Sequence, residues 1–230
     1  MTQHVLLTGA SRGIGAAIAE TLRERGVKLF AASSADADLA TAEGPPGLWA
    51  EALDRLDGRV DVLINNAGVF EASPLEGADD VWLEQWRRTM TINLEASAVL
   101  CRSAILAWQA RGTGGRIVNI ASRAAYRGDS PAHWHYAASK AGMVAMTKTI
   151  ARGYARDDIL AFAVCPGFTM TGMASDYLES RGGERLLADI PLGRVAEPAE
   201  IATISAFLAL DAPASMTGAV IDANGASYVR

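Results

Sequence analysis

Short apolar runs alternate with longer stretches of helical period along the whole chain. Val5-Leu6-Leu7-Thr8 is a continuous apolar run of strand length. Ile14, Ala17, Ile18 and Leu22 then recur on one helical face, up to about Arg25, until Gly26 stops the pattern. Val27 to Ala32 is a second strand, continuous enough in apolar character to be buried on both sides. The alternation goes on with a helix over Leu48–Leu56, a strand over Val60–Ile64 and a long helix from about Asp79 to Arg111. Ile117 to Ile120 is the next strand, and an Ala-rich helix opens at Tyr136 and meets no breaker until Gly153. Leu160 to Cys165 is a strand stopped by Pro166-Gly167, Pro198 to Leu210 a helix, and Ala219 to Asp222 a last strand. Strands alternating with helices predict α/β architecture, a doubly wound parallel sheet with helices on both faces. No linker or repeat interrupts it, so residues 1–230 read as one domain.

Two stretches break the rhythm. Ser33 to Gly47 holds small residues, two aspartates and a Gly-Pro-Pro-Gly cluster, with room for a very short strand near Leu39 and not for a full helix and strand together. Phe168 to Val195 is a longer connection of short helical pieces, placed to act as a lid.

At 50% hydrophobic and 20% charged residues, the chain has ample material for a core. A formal net charge of −5 argues against nucleic acid or an anionic membrane as partner. No charged and apolar leader is visible at Met1-Thr2-Gln3-His4, and a cytoplasmic location is expected. Cys101 and Cys165 sit in apolar surroundings without metal-ligand spacing, so neither a disulfide nor a metal site is expected.

The candidate chemistry lies at strand ends. Gly9-Ala10-Ser11-Arg12-Gly13-Ile14-Gly15 joins the first strand to the first helix. Its glycines permit a tight turn, close approach of backbone to a pyrophosphate and close helix–strand packing, while the helix N-terminus supplies free amides. Tyr136 and Lys140 are four apart, so on a helix they share a face. An ammonium beside a phenol favours phenolate, whose unperturbed pKa lies near about 10. The pair is thus an acid/base candidate.

The Thr-Gly-x-x-x-Gly-x-Gly turn, Asn65-Asn66-Ala67-Gly68, Ser122, Tyr136-x-x-x-Lys140 and Pro166-Gly167, in this order, resemble the short-chain dehydrogenase/reductase family over Thr8 to Gly225. The nearest flavour is the 3-oxoacyl-acyl-carrier-protein reductase branch. The resemblance implies a Rossmann-type, seven-stranded sheet, NAD(P)-dependent hydride transfer and a catalytic tetrad at Asn93, Ser122, Tyr136 and Lys140. Tyr136 would pass the proton, Ser122 would hold the carbonyl oxygen, and Lys140 would hold the nicotinamide ribose. Asn93 would anchor a water relay to Lys140. Asn65, Ala67 and Gly68 would line the adenosine and ribose side, and Thr169 and Thr171, beside Pro166 and Gly167, would meet the nicotinamide carboxamide. The resemblance also implies a homodimer or homotetramer joined through the Asp79–Arg111 and Tyr136 helices.

Most relatives carry a helix and a strand ending in Asp-Val where this chain has Ser33 to Leu48. Asp38-Leu39 is the best match to that pair, so one helix between the second and third strands is expected to be deleted. At the end of the second strand stand Ser33 and Ser34 rather than an acid, with Arg12 near, which favours NADP(H) over NAD(H). Asp36 is the counterweight if the loop folds back. The resemblance further implies a small carbonyl/alcohol substrate: a 3-oxoacyl group or, alternatively, a sugar, polyol or other small alcohol. A protein that binds dinucleotide without chemistry is the reading from another class. Arg123, Arg127 and His133 read first as surface cations and second as contacts for an anionic substrate. Trp134, Phe168, Met173 and Tyr177 either line an apolar pocket or pack the lid.

Overall fold

A computed structural model describes residues 2–170 and 187–230. In chain order it comprises β1 (His4–Leu7), α1 (Gly13–Glu24), β2 (Lys28–Ala31), α2 (Gly44–Arg55), β3 (Val62–Asn65), α3 (Asp79–Met90), α4 (Ala96–Arg111) and β4 (Gly115–Ile120). There follow α5 (Ala124–Arg127), α6 (Trp134–Tyr154), β5 (Ile159–Pro166), α7 (Pro198–Ala206) and β6 (Val220–Ala223). The strands form one parallel sheet in the order β2-β1-β3-β4-β5-β6. The chain leaves β1 toward β2 and then returns to β1's other side. The carboxyl ends of β1 and β3 therefore flank the switch point where such sheets bind ligands.

The side-chain period of two splits the strands between two buried layers. Leu6, Leu63, Ile117 and Ala161 meet Leu48, Leu100, Trp108 and Ile150 on one face. Val5, Val62, Val118 and Phe162 meet Ile18, Leu22, Ile201 and Leu208 on the other. Burial on both faces is why the strands read as unbroken apolar runs rather than alternating ones.

The described residues contain six strands, and none forms near Leu39. No helix occupies Ala32 to Glu43 either, so the shortening removes the strand together with the helix. Local bonds win there. Asp36 accepts from the Ser33 N–H at 2.8 Å, Asp38 Oδ1 from the Ala40 N–H at 2.9 Å, and Thr41 Oγ1 donates to the Asp38 carbonyl at 3.0 Å. Such side-chain-to-backbone bonds compete directly with a strand ladder. α2 then starts at Gly44, four residues before the expected Leu48, because Thr41 Oγ1 takes the Gly44 N–H at 3.1 Å and Pro45 suits a first turn.

The long helix is divided. Between α3 and α4 the residues Thr91–Glu95 form one wide π turn. By length and composition Asp79–Arg111 is long and apolar enough to cross a membrane. In this fold its second half, α4, is a core helix, with Leu100, Cys101, Ala104 and Trp108 buried beneath the sheet. The expected lid at 168–195 is described only at its ends, where Thr169 bridges Ala196. Thr171, Met173 and Tyr177 lie outside the described residues.

Candidate active site

The glycine turn is braced from β3. Thr8 Oγ1 accepts the Asn66 and Ala67 N–H groups at 3.1 and 3.0 Å, and Asn66 Nδ2 donates to the Thr8 and Gly9 carbonyls at 3.1 and 2.9 Å. A Cβ on Gly9 would lie 2.7 Å from Ala67 Cα, and one on Gly15 only 2.0 Å from the Gly9 carbonyl oxygen. Gly13 adopts φ +55°, a conformation that favours glycine. Ser11 and Arg12 lie exposed on the turn, and Ile14 packs on the core. No side chain caps the first amides of α1. Uncapped amides at the start of α1, on a turn packed too closely for a Cβ at Gly9 or Gly15, fit a dinucleotide pyrophosphate.

At the end of β2 the loop does fold back. Ser33 donates both its N–H and its hydroxyl to Asp36 Oδ2, at 2.8 and 3.0 Å, which holds that carboxyl below its ordinary pKa. The Ser33 hydroxyl is engaged by an acid, Ser34 is exposed, and Arg55 stands 3.8 Å from Asp36. Asp38 is exposed within a turn and Leu39 packs on the core, so neither ends a strand as Asp-Val would.

Asn65 points away from the cofactor side. Its Nδ2 donates to Asn119 Oδ1 at 2.8 Å and to Cys101 Sγ at 3.3 Å, and Asn119 in turn donates to Thr147 Oγ1 at 2.8 Å. This residue is a strut between β3, β4 and the helices below. Its neighbour Asn66, quoted in the sequence motif without a role of its own, ties the glycine turn instead.

The four expected catalytic side chains converge. Ser122, at the end of β4, lies near enough to the Tyr136 phenol to favour its ionised form, and its Oγ accepts the Ala124 N–H at 3.1 Å. Lys140 Nζ donates to the Ile120 carbonyl at 2.8 Å and lies 5.8 Å from the Tyr136 ring centroid. Asn93 sits in the π turn, where its Oδ1 takes the Val69 N–H at 2.8 Å and its Nδ2 donates to the Val69 carbonyl at 3.0 Å. Gly68 keeps the space between them open, since a Cβ there would lie 3.2 Å from Asn93 Oδ1 and 3.5 Å from Lys140 Nζ.

Burial dominates the electrostatics. It pushes the Tyr136 phenol up to about 12, against the pull of Ser122, and pushes Lys140 down to about 8. The expected lowering of Tyr136 by Lys140 is not among the causes of its shift; desolvation raises it and only Ser122 pulls it down. Pro166 ends β5, Gly167 packs against Asn224, and Thr169 is buried, with its hydroxyl on the Gly167 carbonyl at 3.2 Å.

Of the expected surface cations, Arg127 is exposed and the other two are not. His133 stacks on Phe70 at 3.9 Å, with its pKa lowered by burial, and Phe70 meets Tyr136 edge-on at 4.8 Å. This Phe70–His133 wall was not foreseen. Arg127 is paired with Asp189, and Arg123 is buried. Trp134 is half exposed and packs edge-on to Trp82 at 6.4 Å.

A family model described as enoyl-(acyl carrier protein) reductase matches residues 35–225. The 3-oxoacyl-[acyl-carrier-protein] reductase of Synechocystis sp. is 36% identical, over 97% of this chain and 96% of its own length. The acetoacetyl-CoA reductase of Rhizobium meliloti is 34% identical over 99% of both. A crystal structure assigned as an NAD(P)-dependent gluconate 5-dehydrogenase from Beutenbergia cavernae, with NADP bound at low occupancy, aligns with TM-score 0.83 at 33% identity, covering 97% of this chain and 95% of that one. One assigned as a gluconate dehydrogenase from Agrobacterium tumefaciens gives TM-score 0.84 at 25% identity, covering 99% and 97%. Fold, sequence and solved relatives agree: the chain belongs to the short-chain dehydrogenase/reductase family of NAD(P)-dependent oxidoreductases.

Proposed function

We propose that Tyr136, Ser122, Lys140 and Asn93 are the proton-transfer end of a site that interconverts a carbonyl and a secondary alcohol. The observation that carries this is Lys140 Nζ 5.8 Å from the Tyr136 ring centroid, with Gly68 leaving open the space between Lys140 and Asn93, at the strand ends where the glycine turn also lies. Ser122 holds the substrate oxygen as negative charge grows on it. Tyr136 gives that oxygen its proton in reduction and takes it in oxidation. A phenol at about 12 keeps its proton until the oxygen demands it, which suits the donor role. Lys140 would hold the ribose and supply positive charge beside the phenol, and Asn93 would anchor a relay returning a proton to Lys140. Phe70 and His133 wall the site beside Tyr136.

When bound, the nicotinamide supplies or takes the hydride at the substrate carbon. NADP(H) is the preferred cofactor and NAD(H) the second. The NADP of the Beutenbergia relative supports the first, and Asp36 beside Ser33 supports tolerance of the second. Gly9, Ser11, Arg12, Gly13 and Gly15 would take the pyrophosphate side, Ala67 and Gly68 the ribose, and Pro166, Gly167 and Thr169 the carboxamide edge.

Two substrate readings follow from the relatives: a 3-oxoacyl group, from the full-length sequence relatives, and a sugar or sugar acid, from the two solved structures. A panel of acyl thioesters, sugars and cyclic ketones followed by NADPH absorbance tests them, and silence across the panel would count against both. We assign the enzyme to the cytoplasm as a homodimer or homotetramer. The exposed Val81, Leu83 and Leu106 on α3 and α4 support that assembly.

A further inference from the structure

Arg123 follows Ser122 in the chain and is held at the same edge of the sheet. Its backbone N–H donates to the Pro166 carbonyl at 2.9 Å, tying the end of β4 to the end of β5. Only 9% of the residue is exposed, and its guanidinium lies 4.7 Å from the centroid of the Phe168 ring. Nη1 is buried and makes no hydrogen bond. The Asp189 carboxylate is 3.7 Å from it, an ion-pair distance that makes no hydrogen bond, and is held more closely by Arg127. Asp129 faces the same guanidinium from farther off.

Arg116 shows how this chain treats a partly buried guanidinium that serves only the fold. Its Nη1 donates to the Leu208 and Ala212 carbonyls at 3.1 and 2.9 Å. Arg123 has no such carbonyls at Nη1. A buried donor left open costs free energy, and the positions where that cost persists are the ones that await a partner.

We infer that Arg123 determines specificity by binding a carboxylate of the substrate, close to the carbon whose oxygen Ser122 and Tyr136 address. A guanidinium fork matches a carboxylate in two parallel bonds, and a shielded site strengthens them. Phe168 supplies the shield. Asp189 balances the charge at a distance without filling the donors, and Arg127 neutralises Asp189 so that it does not repel the ligand. The inference rests on the hydride-transfer reading and narrows its substrates to small oxo acids and hydroxy acids. A thioester has no free carboxylate at this point.

The test sets a panel of small oxo acids, acetoacetate and 5-ketogluconate among them, against neutral counterparts such as acetoacetamide. Turnover is followed with NADPH. Binding is measured independently, by calorimetry on the NADP-loaded Tyr136→Phe variant. Acids should exceed their neutral counterparts by about 10- to 100-fold in kcat/KM and in affinity, the usual worth of a charge-assisted pair. Arg123→Gln should erase that preference and leave the neutral compounds unchanged. Arg123→Lys keeps the charge, loses the fork and should retain part of the preference; it also serves where the Gln variant does not fold. Equal loss on acids and neutral compounds, a wild-type enzyme without preference, or no acid bound at all would overturn the assignment. Arg123-dependent binding of acids without turnover of any compound would instead sink the hydride-transfer reading and leave this one standing.

Discussion

Gly15→Ala puts the cradle to a quantitative test. The added methyl would meet the Gly9 carbonyl oxygen at 2.0 Å, Asn66 Nδ2 at 2.5 Å and the Gly9 carbonyl carbon at 2.8 Å. Real contacts of this kind do not fall below 3.0 Å, so the turn or α1 must move by about 1 Å. Neither moves freely, because Asn66 holds the Gly9 carbonyl and Thr8 holds the Asn66 backbone. Overpacking of this order costs about 1–3 kcal/mol. In a domain of this size that lowers Tm by roughly 3–10 °C. NADPH affinity should fall about 10-fold or more as the amides shift from the phosphate positions. Gly47→Ala is the control. It is the same chemical change in the first turns of α2, with nothing within 4 Å of the new methyl. Helix propensity alone should then raise stability by about 0.5–1 kcal/mol. Thermal unfolding and fluorescence titration of NADPH read both variants. A Gly15→Ala protein with wild-type Tm and affinity would refute the close-packing argument.

Other perturbations reach different parts of the site. Tyr136→Phe should cut kcat by about 10²- to 10⁴-fold with NADPH affinity nearly unchanged; steady-state kinetics and titration decide it, and retained turnover would remove the proton-transfer role. Folded Lys140 titrates near 8 against 10.5 for a free lysine, so its contribution to stability is full above about 10.5 and is lost as pH falls through about 8. Lys140→Met should therefore melt higher than the wild type at pH 7 while losing activity, and a lower melting point would contradict the burial cost. Where positive charge at Lys140 serves turnover, kcat/KM should decline as pH rises through about 8 in a pH–rate profile. Asp36→Ala removes the carboxylate beside Ser33 and should shift the kcat/KM ratio toward NADPH; an unchanged ratio would show that Asp36 does not face the ribose.

The alternation of elements was readable because a parallel sheet buries both faces of each strand. Val5, Leu6 and Leu7 need no polar partner on either side, and neither do Val62 to Ile64. The Tyr136–Lys140 pair was readable from helical spacing and the glycine turn from its own composition. What stayed hidden depended on contacts between distant residues. Nothing in Ser122-Arg123 says that Phe168 will cover the guanidinium, so a cation read as surface charge proved buried. Asn65 and Asn66 are adjacent and chemically identical, yet the strand end sends one into the core and the other to the glycine turn. The strand expected near Leu39 failed because Asp36, Asp38 and Thr41 close local turns, and propensity over a few residues cannot rank those bonds against a ladder.

The π turn at Thr91–Glu95 gives the long helix two independent phases. One extra residue in a helix turns everything beyond it by about 100°. α3 and α4 can thus each present a face chosen separately, α4 toward the core and α3 toward Trp134 and His135 of α6, while Asn93 points inward between them. Deleting a single residue in Thr91–Glu95 would regularise the backbone and swing one half of the helix against the other. The irregularity is a phase shifter, and its length in residues matters more to the site than the identity of most of its side chains.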